Sequence, residues 1–211
     1  MTLRLLDSLF PQWVWRLPAG KRQIALTFDD GPDPMTTPAL LDVLKELNVK
    51  ATFFLIGEKV AGNAALLGRA AEEGHVLANH GYHHASHAWY ARQRLRDSIE
   101  RTERTIADSG IRPARLFRPP YGFFLPGISR ELKRLRYRGI MWTSHLCDWR
   151  SPTREVLEAK AQHALSDGSI ILLHDAHEFQ STLLTAILPS LVEDAKRRDF
   201  QFVTLTEEAF T

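Results

Sequence analysis

The sequence contains a single cysteine, Cys147, which excludes an intrachain disulfide and a thiolate-rich metal site. A lone cysteine is typically a small buried apolar residue, and we expect that role here. No apolar run is long enough to span a membrane. Arg4, Asp7, Pro11 and Arg16 interrupt the N-terminal segment, which argues against a signal peptide. We therefore expect a soluble protein, cytoplasmic as the sequence stands, or extracellular or periplasmic if a leader was removed.

The chain also lacks an excess of either charge. Its 27 basic and 25 acidic residues give a formal charge of +2, and no basic block indicates a nucleic-acid partner. Residues 90–104 are denser in arginine, but these alternate with acidic residues, as on a solvated helix face. With 211 residues, 44% of them hydrophobic, we expect one domain over residues 1–211, acting as a monomer.

Short apolar runs alternate with helical patterns along the chain. In the first predicted helix, Thr37 can act as the cap, Pro38 suits the first turn, and leucines from Leu40 to Leu47 form one stripe. The predicted helices cover residues 37–47, 61–73, 90–109, 128–135, 153–165 and 183–198. The predicted strands cover residues 23–28, 51–57 and 75–79, and the runs LFRPP, GIMWT, SIILLHD and FQFVTLT.

This alternation predicts an α/β fold of about seven strand-helix units with parallel strands, either an open sheet or a barrel. In parallel α/β folds, ligands bind at the carboxyl ends of the strands. The residues that follow the predicted strands are Asp29, Asp30, His80, Arg118, Asp148 and His174. We therefore expect the functional site at that edge.

The first predicted strand ends in two adjacent carboxylates, Asp29 and Asp30, before a turn at Gly31 and Pro32. Burying an unpaired carboxylate costs several kcal/mol, so a neighbouring pair requires a cation, a shared proton or a catalytic purpose.

Four histidines lie in the segment NHGYHHASH, at positions His80, His83, His84 and His87. If the segment is helical, His80 and His84 can turn both imidazoles toward one divalent ion, with a carboxylate as third ligand. The alternative is a solvated histidine-rich turn. The acidic pair on the first strand favours the metal site.

Three further segments carry polar residues after strands. Arg118 in RPPYG can hold a carboxylate bidentately, although a surface arginine on a Pro-rich turn is the favoured alternative for that segment alone. Asp148 and Trp149 lie together in CDWRS, where Trp149 could equally be core packing. His174 ends ILLHD and could act as a general acid or be a structural histidine.

The order of these motifs is more specific than any one of them. TFDDGP, NHGYHH, RPPYG, CDW and LLH, each after a strand, resemble the carbohydrate esterase family 4 polysaccharide deacetylases, which contain the nodulation-type chitooligosaccharide deacetylase domain. The resemblance covers about residues 21–207. It implies an irregular (β/α) barrel and a metal-dependent enzyme that hydrolyses a carbon–nitrogen amide bond.

The resemblance also implies a role for each site residue. Asp30, His80 and His84 would bind a divalent metal, commonly Zn²⁺, with Co²⁺ or Ni²⁺ also possible. Asp29 would be the general base, oriented by Arg118, and His174 the general acid, with Asp148 tuning the charges. The implied substrate contacts are the Tyr121 backbone N–H, which would stabilise the oxyanion, and Trp149 and Leu172, which would enclose the acetyl methyl group.

Two positions depart from the family pattern. The family usually has Ser or Thr where this chain has Gly81, which predicts a less rigid loop. It often has Asp where this chain has His145, which puts the electrostatics around Arg118 in question.

The leading functional hypothesis is removal of N-acetyl groups from an N-acetylglucosamine-containing glycan or glycoconjugate. The alternatives are an O-acetyl esterase of xylan and a non-catalytic carbohydrate-binding module. The module would be expected to lack a base or acid, whereas Asp29 and His174 are both present. In every case the expected partner is a carbohydrate, with no nucleic acid and no membrane span.

Overall fold

The computed structural model describes residues 10–84, 92–150, 153–176, 178–206 and 210. Tyr90 and His87, which the sequence placed in a helix and in the histidine cluster, lie outside these residues. Within the described residues, no helix is long and apolar enough to cross a membrane.

The described strands form one curled sheet in which every pairing is parallel. They are β1 (Trp13–Val14), β2 (Gln23–Asp29), β3 (Thr52–Leu55), β4 (Val76–Asn79), β5 (Leu116–Phe117), β6 (Arg138–Ile140), β7 (Ser144–His145), β8 (Ile170–His174) and β9 (Gln201–Phe202). Their order is β1-β6-β5-β4-β3-β2-β8-β7, and β9 pairs with the start of β2. The prediction of an irregular (β/α) barrel is confirmed, although the described sheet is open between β1 and β7.

Helices connect most of the strands. They are α1 (Thr37–Glu46), α2 (Gly57–Val60), α3 (Ala64–Glu72), α4 (Arg92–Asp108), α5 (Pro126–Leu135), α6 (Arg154–Ala164) and α7 (Glu178–Arg197). Strand β2 is buried from Ile24 to Asp29, because a central parallel strand is covered on both faces. Its apolar residues pack against the leucine stripe of α1, as the sequence indicates.

Three local predictions were wrong. Thr36, and not Thr37, precedes α1, and the Thr37 hydroxyl instead donates to Asp175 Oδ2 at 2.6 Å. The helix predicted over residues 61–73 begins only at Ala64, as α3, because Asn63 precedes it in a non-helical conformation and donates from Nδ2 to the Lys59 carbonyl at the end of the separate short helix α2. The final strand is only two residues long.

Candidate active site

The acidic pair lies at the carboxyl end of β2, in the middle of the sheet. Asp29 is the last strand residue and pairs in register with His174 at the end of β8. Asp30 leaves the strand with φ of +73°, so its side chain points in a different direction from an ordinary next strand residue. Asp29 is 3% exposed, which confirms that the chain buries a carboxylate here.

Arg118 supplies the countercharge of Asp29. Its Nη1 donates hydrogen bonds to Asp29 Oδ1 at 2.7 Å and to Thr27 Oγ1 at 2.8 Å. The interpretation of Arg118 as a surface residue was wrong, since the side chain is fully buried. The expected bidentate contact is also absent from the described hydrogen bonds, because Nε and Nη2 donate to the carbonyls of Ile140 and Met141.

Burial lowers the pKa of Arg118, while the charge of Asp29 and the hydrogen bond to it act in the opposite direction. The guanidinium also lies 4.2 Å from the centre of the Phe54 ring, which provides a further favourable contact for the cation. Arg118 is therefore held rigidly by the ends of β5, β6 and β2.

Asp30, His80 and His84 form a three-residue cluster suited to a metal ion. Nε2 of His80 and Nε2 of His84 each lie 3.4 Å from Asp30 Oδ1, and the three possible ligand atoms are all within 4.8 Å of one another. Ligand atoms about 2.0–2.2 Å from a tetrahedral ion are about 3.4 Å apart, so these separations fit a shared cation.

The tautomer of His80 also suits a ligand. Its Nδ1 lies 2.7 Å from the Arg118 carbonyl oxygen, which can only accept, so in the neutral ring Nδ1 carries the proton and Nε2 has the lone pair. Asp30 Oδ1 is buried without a hydrogen-bond partner among the described residues. A buried carboxylate oxygen in this state is expected where a cation binds.

The pKa shifts of Asp30 and His84 also favour binding of a metal ion. Burial alone raises the pKa of Asp30, but its interactions with His80 and His84 outweigh this effect and hold the pKa well below its usual range. Burial lowers the pKa of His84, which favours the neutral imidazole that a metal requires. The residues therefore fit a divalent ion.

The sequence predicts that His80 and His84 share a metal ion if their segment is helical. Residues 80–84 are not helical. The chain bends from Gly81 to His84, with Gly81 at φ of +86°. The reversal brings His84 back beside His80, with ring centres 5.5 Å apart. His83 points elsewhere, and its Nδ1 lies 2.6 Å from Glu58 Oε2 at the surface.

His174 and Asp148 form a second polar pair on the other side of the acidic residues. Asp148 Oδ1 lies 3.0 Å from His174 Nδ1, and Oδ2 accepts the His174 backbone N–H at 2.7 Å. Burial lowers the pKa of His174, but the hydrogen bond and charge of Asp148, with the charges of Asp29 and Asp30, raise it above its ordinary value. The imidazole is therefore oriented and biased toward the protonated form.

One cavity of about 490 Å³ is lined by Asp29, Asp30, His80, His84 and His174. Tyr121, Trp149 and Leu172, which the sequence associated with substrate, all line it. Trp149 is 38% exposed and lies 5.1 Å from the His174 ring, so it is not ordinary core packing. Tyr121 has a backbone φ of +58° and places its ring 4.4 Å from that of His84.

Sequence reasoning missed three contributors. Trp142 lines the cavity and contacts Gly122 closely, since a Cβ on that glycine would lie 2.5 Å from the tryptophan ring. Thr27 shares Nη1 of Arg118 with Asp29. Trp142 lies near the carboxyl end of the predicted strand GIMWT, and that position was the available signal; nothing in the sequence distinguishes Thr27 from other strand residues.

The third missed residue is Asp175, which is 1% exposed behind the acidic pair. It accepts hydrogen bonds from the hydroxyls of Thr36 and Thr37, at 3.0 and 2.6 Å. Its backbone N–H donates to the Asp29 carbonyl, and its Oδ2 would lie 2.6 Å from a Cβ on Gly31. Asp175 therefore joins the turn after β2 to the end of β8.

Gly81 and His145, the two positions that depart from the family pattern, each have described contacts. The Gly81 N–H donates to Asn79 Oδ1 at 2.8 Å, and its carbonyl accepts the Gly57 N–H at 2.9 Å. His145 contacts Cys147 and Trp149 and forms no described hydrogen bond with Arg118. The expectation that Cys147 is buried was wrong, because φ of +58° turns this half-buried residue toward His145 at the surface.

Comparison with known families agrees with this geometry. Residues 16–140 match the family described as polysaccharide deacetylase, which is more than half of the chain. The chain belongs to the polysaccharide deacetylase family. This confirms the resemblance that the five ordered motifs indicate.

Relatives of this polysaccharide deacetylase family member include bacterial peptidoglycan deacetylases. It is 32% identical over 195 residues to a peptidoglycan-N-acetylglucosamine deacetylase of Bacillus cereus, covering 92% of this chain and 91% of the relative. It is 35% identical over 187 residues to the Listeria monocytogenes peptidoglycan-N-acetylglucosamine deacetylase PgdA, covering 88% of this chain but only 38% of the longer relative.

Solved structures of the family share the fold. A peptidoglycan N-acetylglucosamine deacetylase in complex with a naphthalenyl N-oxidanyl-benzamide aligns with a TM-score of 0.90 and 30% identity, covering 97% of this chain and 95% of that chain. A CE4 family pseudoenzyme from Bacillus anthracis aligns with a TM-score of 0.85 and 26% identity, covering 97% and 71%. The fold is therefore found both in enzymes and in a pseudoenzyme.

Proposed function

We propose that this protein is a metal-dependent hydrolase that removes N-acetyl groups from an N-acetylglucosamine-containing glycan. The observation that carries the proposal is the arrangement of Asp29 and His174 in one cavity with the cluster of Asp30, His80 and His84. A base, an acid and a cation site are the components that amide hydrolysis needs.

Asp30, His80 and His84 would hold the divalent ion, with Zn²⁺ the leading candidate for their nitrogen and oxygen donors. When bound, such an ion makes a water molecule more acidic and polarises the acyl oxygen. The buried Asp30 oxygen without a described partner and the Nδ1–H tautomer of His80 support this assignment.

Asp29 is the proposed general base. Arg118 occupies its Oδ1, while its Oδ2 lies 3.8 Å from His80 Nε2, on the side of the metal cluster. Oδ2 is therefore placed to take a proton from the attacking water. Arg118 holds the carboxylate in one orientation, because its other donors are committed to Thr27 and to backbone carbonyls.

His174 is the proposed general acid. Its Nδ1–H is held by Asp148, so a proton on Nε2 can be transferred to the departing amine nitrogen. The raised pKa of His174 favours the protonated form required for this step. An amine is a poor leaving group without protonation, so this residue would matter most for amide substrates.

The substrate assignment rests on relatives and on the shape of the cavity. Trp149 and Leu172 would contact the acetyl methyl group, and the Tyr121 N–H would donate to the oxyanion. The similar proteins of Bacillus cereus and Listeria monocytogenes are named for peptidoglycan N-acetylglucosamine. A glycan containing this sugar is accordingly the first substrate class to test.

The decisive assay measures acetate release from chitooligosaccharides, peptidoglycan fragments and acetylxylan, with metal-stripped protein as the control. We expect release from at least one N-acetylglucosamine substrate, loss of release after metal removal, and recovery when a divalent ion is restored. Release from acetylxylan alone would assign the chain as an O-acetyl esterase. No release from any substrate by fully metallated protein would favour a non-catalytic binding protein.

A further inference from the structure

A second groove, away from the active site, is lined by four cationic side chains. It has a volume of about 350 Å³, and Arg115, Lys133, Arg136 and Arg138 line it, while its three other lining residues are uncharged. Like charges converging on one groove repel each other, and a bound anion would relieve this repulsion.

The described surroundings neutralise only part of this charge. Arg115 pairs with Glu103 at 3.0 Å and donates to the Leu135 carbonyl at the end of α5. Both contacts bring negative charge to Arg115, since a helix C-terminus carries about half a negative charge. Lys133, Arg136 and Arg138 form no ion pair with any residue that the structure describes.

The groove belongs to a wider basic surface. Between residues 92 and 138, ten exposed residues are basic and only Asp97 and Asp108 are both acidic and exposed. The formal charge of the whole chain is only +2. Residues 92–138 therefore have a local excess of positive charge that the overall composition does not show. Three of the groove cations lie within residues 133–138, and the pairing of β5 with β6 brings Arg115 beside them.

We propose that this groove binds a phosphate-bearing anion, either a phosphate monoester or a phosphodiester. Three of its four cations are guanidinium groups, whose paired N–H donors match two phosphate oxygens. A water molecule occupies about 30 Å³ in the liquid, so about 350 Å³ has room for a phosphate and an attached glycerol or sugar.

The groove and the active site lie at opposite ends of the same strands. Arg115 immediately precedes β5 and Arg118 immediately follows it, so their Cα atoms are about 10 Å apart at about 3.3 Å per residue. Arg138 likewise begins β6, whereas Trp142 follows its end. A ligand in the groove therefore leaves the catalytic cavity open, and the proposal stands independently of deacetylation.

The test compares two double variants of the full chain that remove equal charge. Lys133→Gln/Arg136→Asn removes exposed groove cations, with Asn chosen because residue 136 has φ of +57°. Arg94→Gln/Arg104→Gln removes two exposed cations of α4 outside the groove. Binding is measured by ligand-observed NMR with glycerol 3-phosphate, and by sedimentation with vesicles of phosphatidylglycerol or phosphatidylcholine.

We expect the groove variant to lose about tenfold or more in affinity for glycerol 3-phosphate, since it loses two charge-assisted contacts, and the α4 variant to change less than about twofold. Far-UV circular dichroism and acetate release should match the parent protein in both. Groove-dependent binding to phosphatidylglycerol vesicles would identify the ligand as a lipid headgroup. Binding to glycerol 3-phosphate alone would identify it as a soluble phosphate ester.

Equal losses in both variants would overturn the proposal, because overall charge and not the groove would then govern binding. Binding to neither glycerol 3-phosphate nor phosphatidylglycerol would also overturn it. Binding to duplex DNA is also measured, because DNA is a different polyanion. Binding to DNA with no affinity for glycerol 3-phosphate or the vesicles would contradict the proposal that the groove binds a phosphate ester.

Discussion

Asp29 and Arg118 form an ion pair in the interior of the protein, with Oδ1 of the carboxylate 2.7 Å from Nη1 of the guanidinium. The side chains are 4% and 0% exposed. The contact uses one carboxylate oxygen and leaves the other facing His80 at 3.8 Å. One oxygen therefore serves orientation, and the second remains for proton transfer.

We predict that Asp29→Asn lowers kcat by about a hundred- to ten-thousandfold, because the amide cannot accept the proton. Metal content, measured by atomic emission, should stay near that of the parent protein. Asp30→Asn is the matched control one position along the chain, and it should lose metal. Near-normal turnover by metallated Asp29→Asn would assign the base to another residue.

The metal ligands can be distinguished from their histidine neighbour. We expect His84→Ala to weaken metal binding by at least about tenfold, because it removes a ligand, whereas His83→Ala should leave metal affinity unchanged. Affinity is measured by competition with a chromophoric chelator. The control follows from the structure, in which His83 contacts Glu58 at the surface. Metal loss in His83→Ala with retention in His84→Ala would refute this ligand set.

His174→Ala should impair an N-acetyl sugar more than an activated aryl acetate, since a phenolate can depart without protonation. The difference between the two losses in kcat/KM should fall between about a hundredfold and ten-thousandfold. Metal content should be unchanged. Equal losses for the two substrates would instead assign His174 to substrate positioning or oxyanion stabilisation.

The pH profile tests the contact between Asp148 and His174. A general acid works only while protonated, so kcat should fall as the pH rises through the pKa of His174. Asp148 raises that pKa, and Asp148→Asn should therefore move the basic limb of the kcat profile to lower pH. An unmoved basic limb would show that another group controls it.

Asp175 gives a prediction about stability. Burial raises the pKa of Asp175 to about 7, although hydrogen bonds from Thr37 and Thr36 act in the opposite direction. Because the folded-state pKa exceeds the unfolded value, the stabilisation is complete below the unfolded pKa of 3.8 and is lost as the pH rises toward about 7. The free energy of unfolding should therefore fall over this range relative to Asp175→Asn, which does not titrate.

Urea denaturation of both proteins at matched metal content, at pH 5 and at pH 8, measures this difference. The comparison between variants cancels other titrating groups that the two proteins share. A constant difference at the two pH values would mean that the Asp175 carboxyl does not titrate in this window.

The elements of the fold could be predicted from local patterns. The run that forms β2 and the leucine stripe of α1 have the periodicity of their structures, and burial of the sheet follows from it. One failure was decided by a partner that is distant in the chain. Thr37 has the chemistry of a cap, but its hydroxyl is committed to Asp175, which lies 138 residues away in the chain.

The sequence by itself determined the strand-helix alternation, the order of the motifs and the chemical types of the site residues, because these depend on neighbours in the chain. The tertiary structure decided that Arg118 is buried against Asp29, that a bent loop directs His84 rather than His83 toward Asp30, and that Arg115 joins the cations of residues 133–138 in one groove. Such contacts depend on the register of parallel strands and on which donors are already occupied. Neither is encoded in the spacing of residues along a single segment.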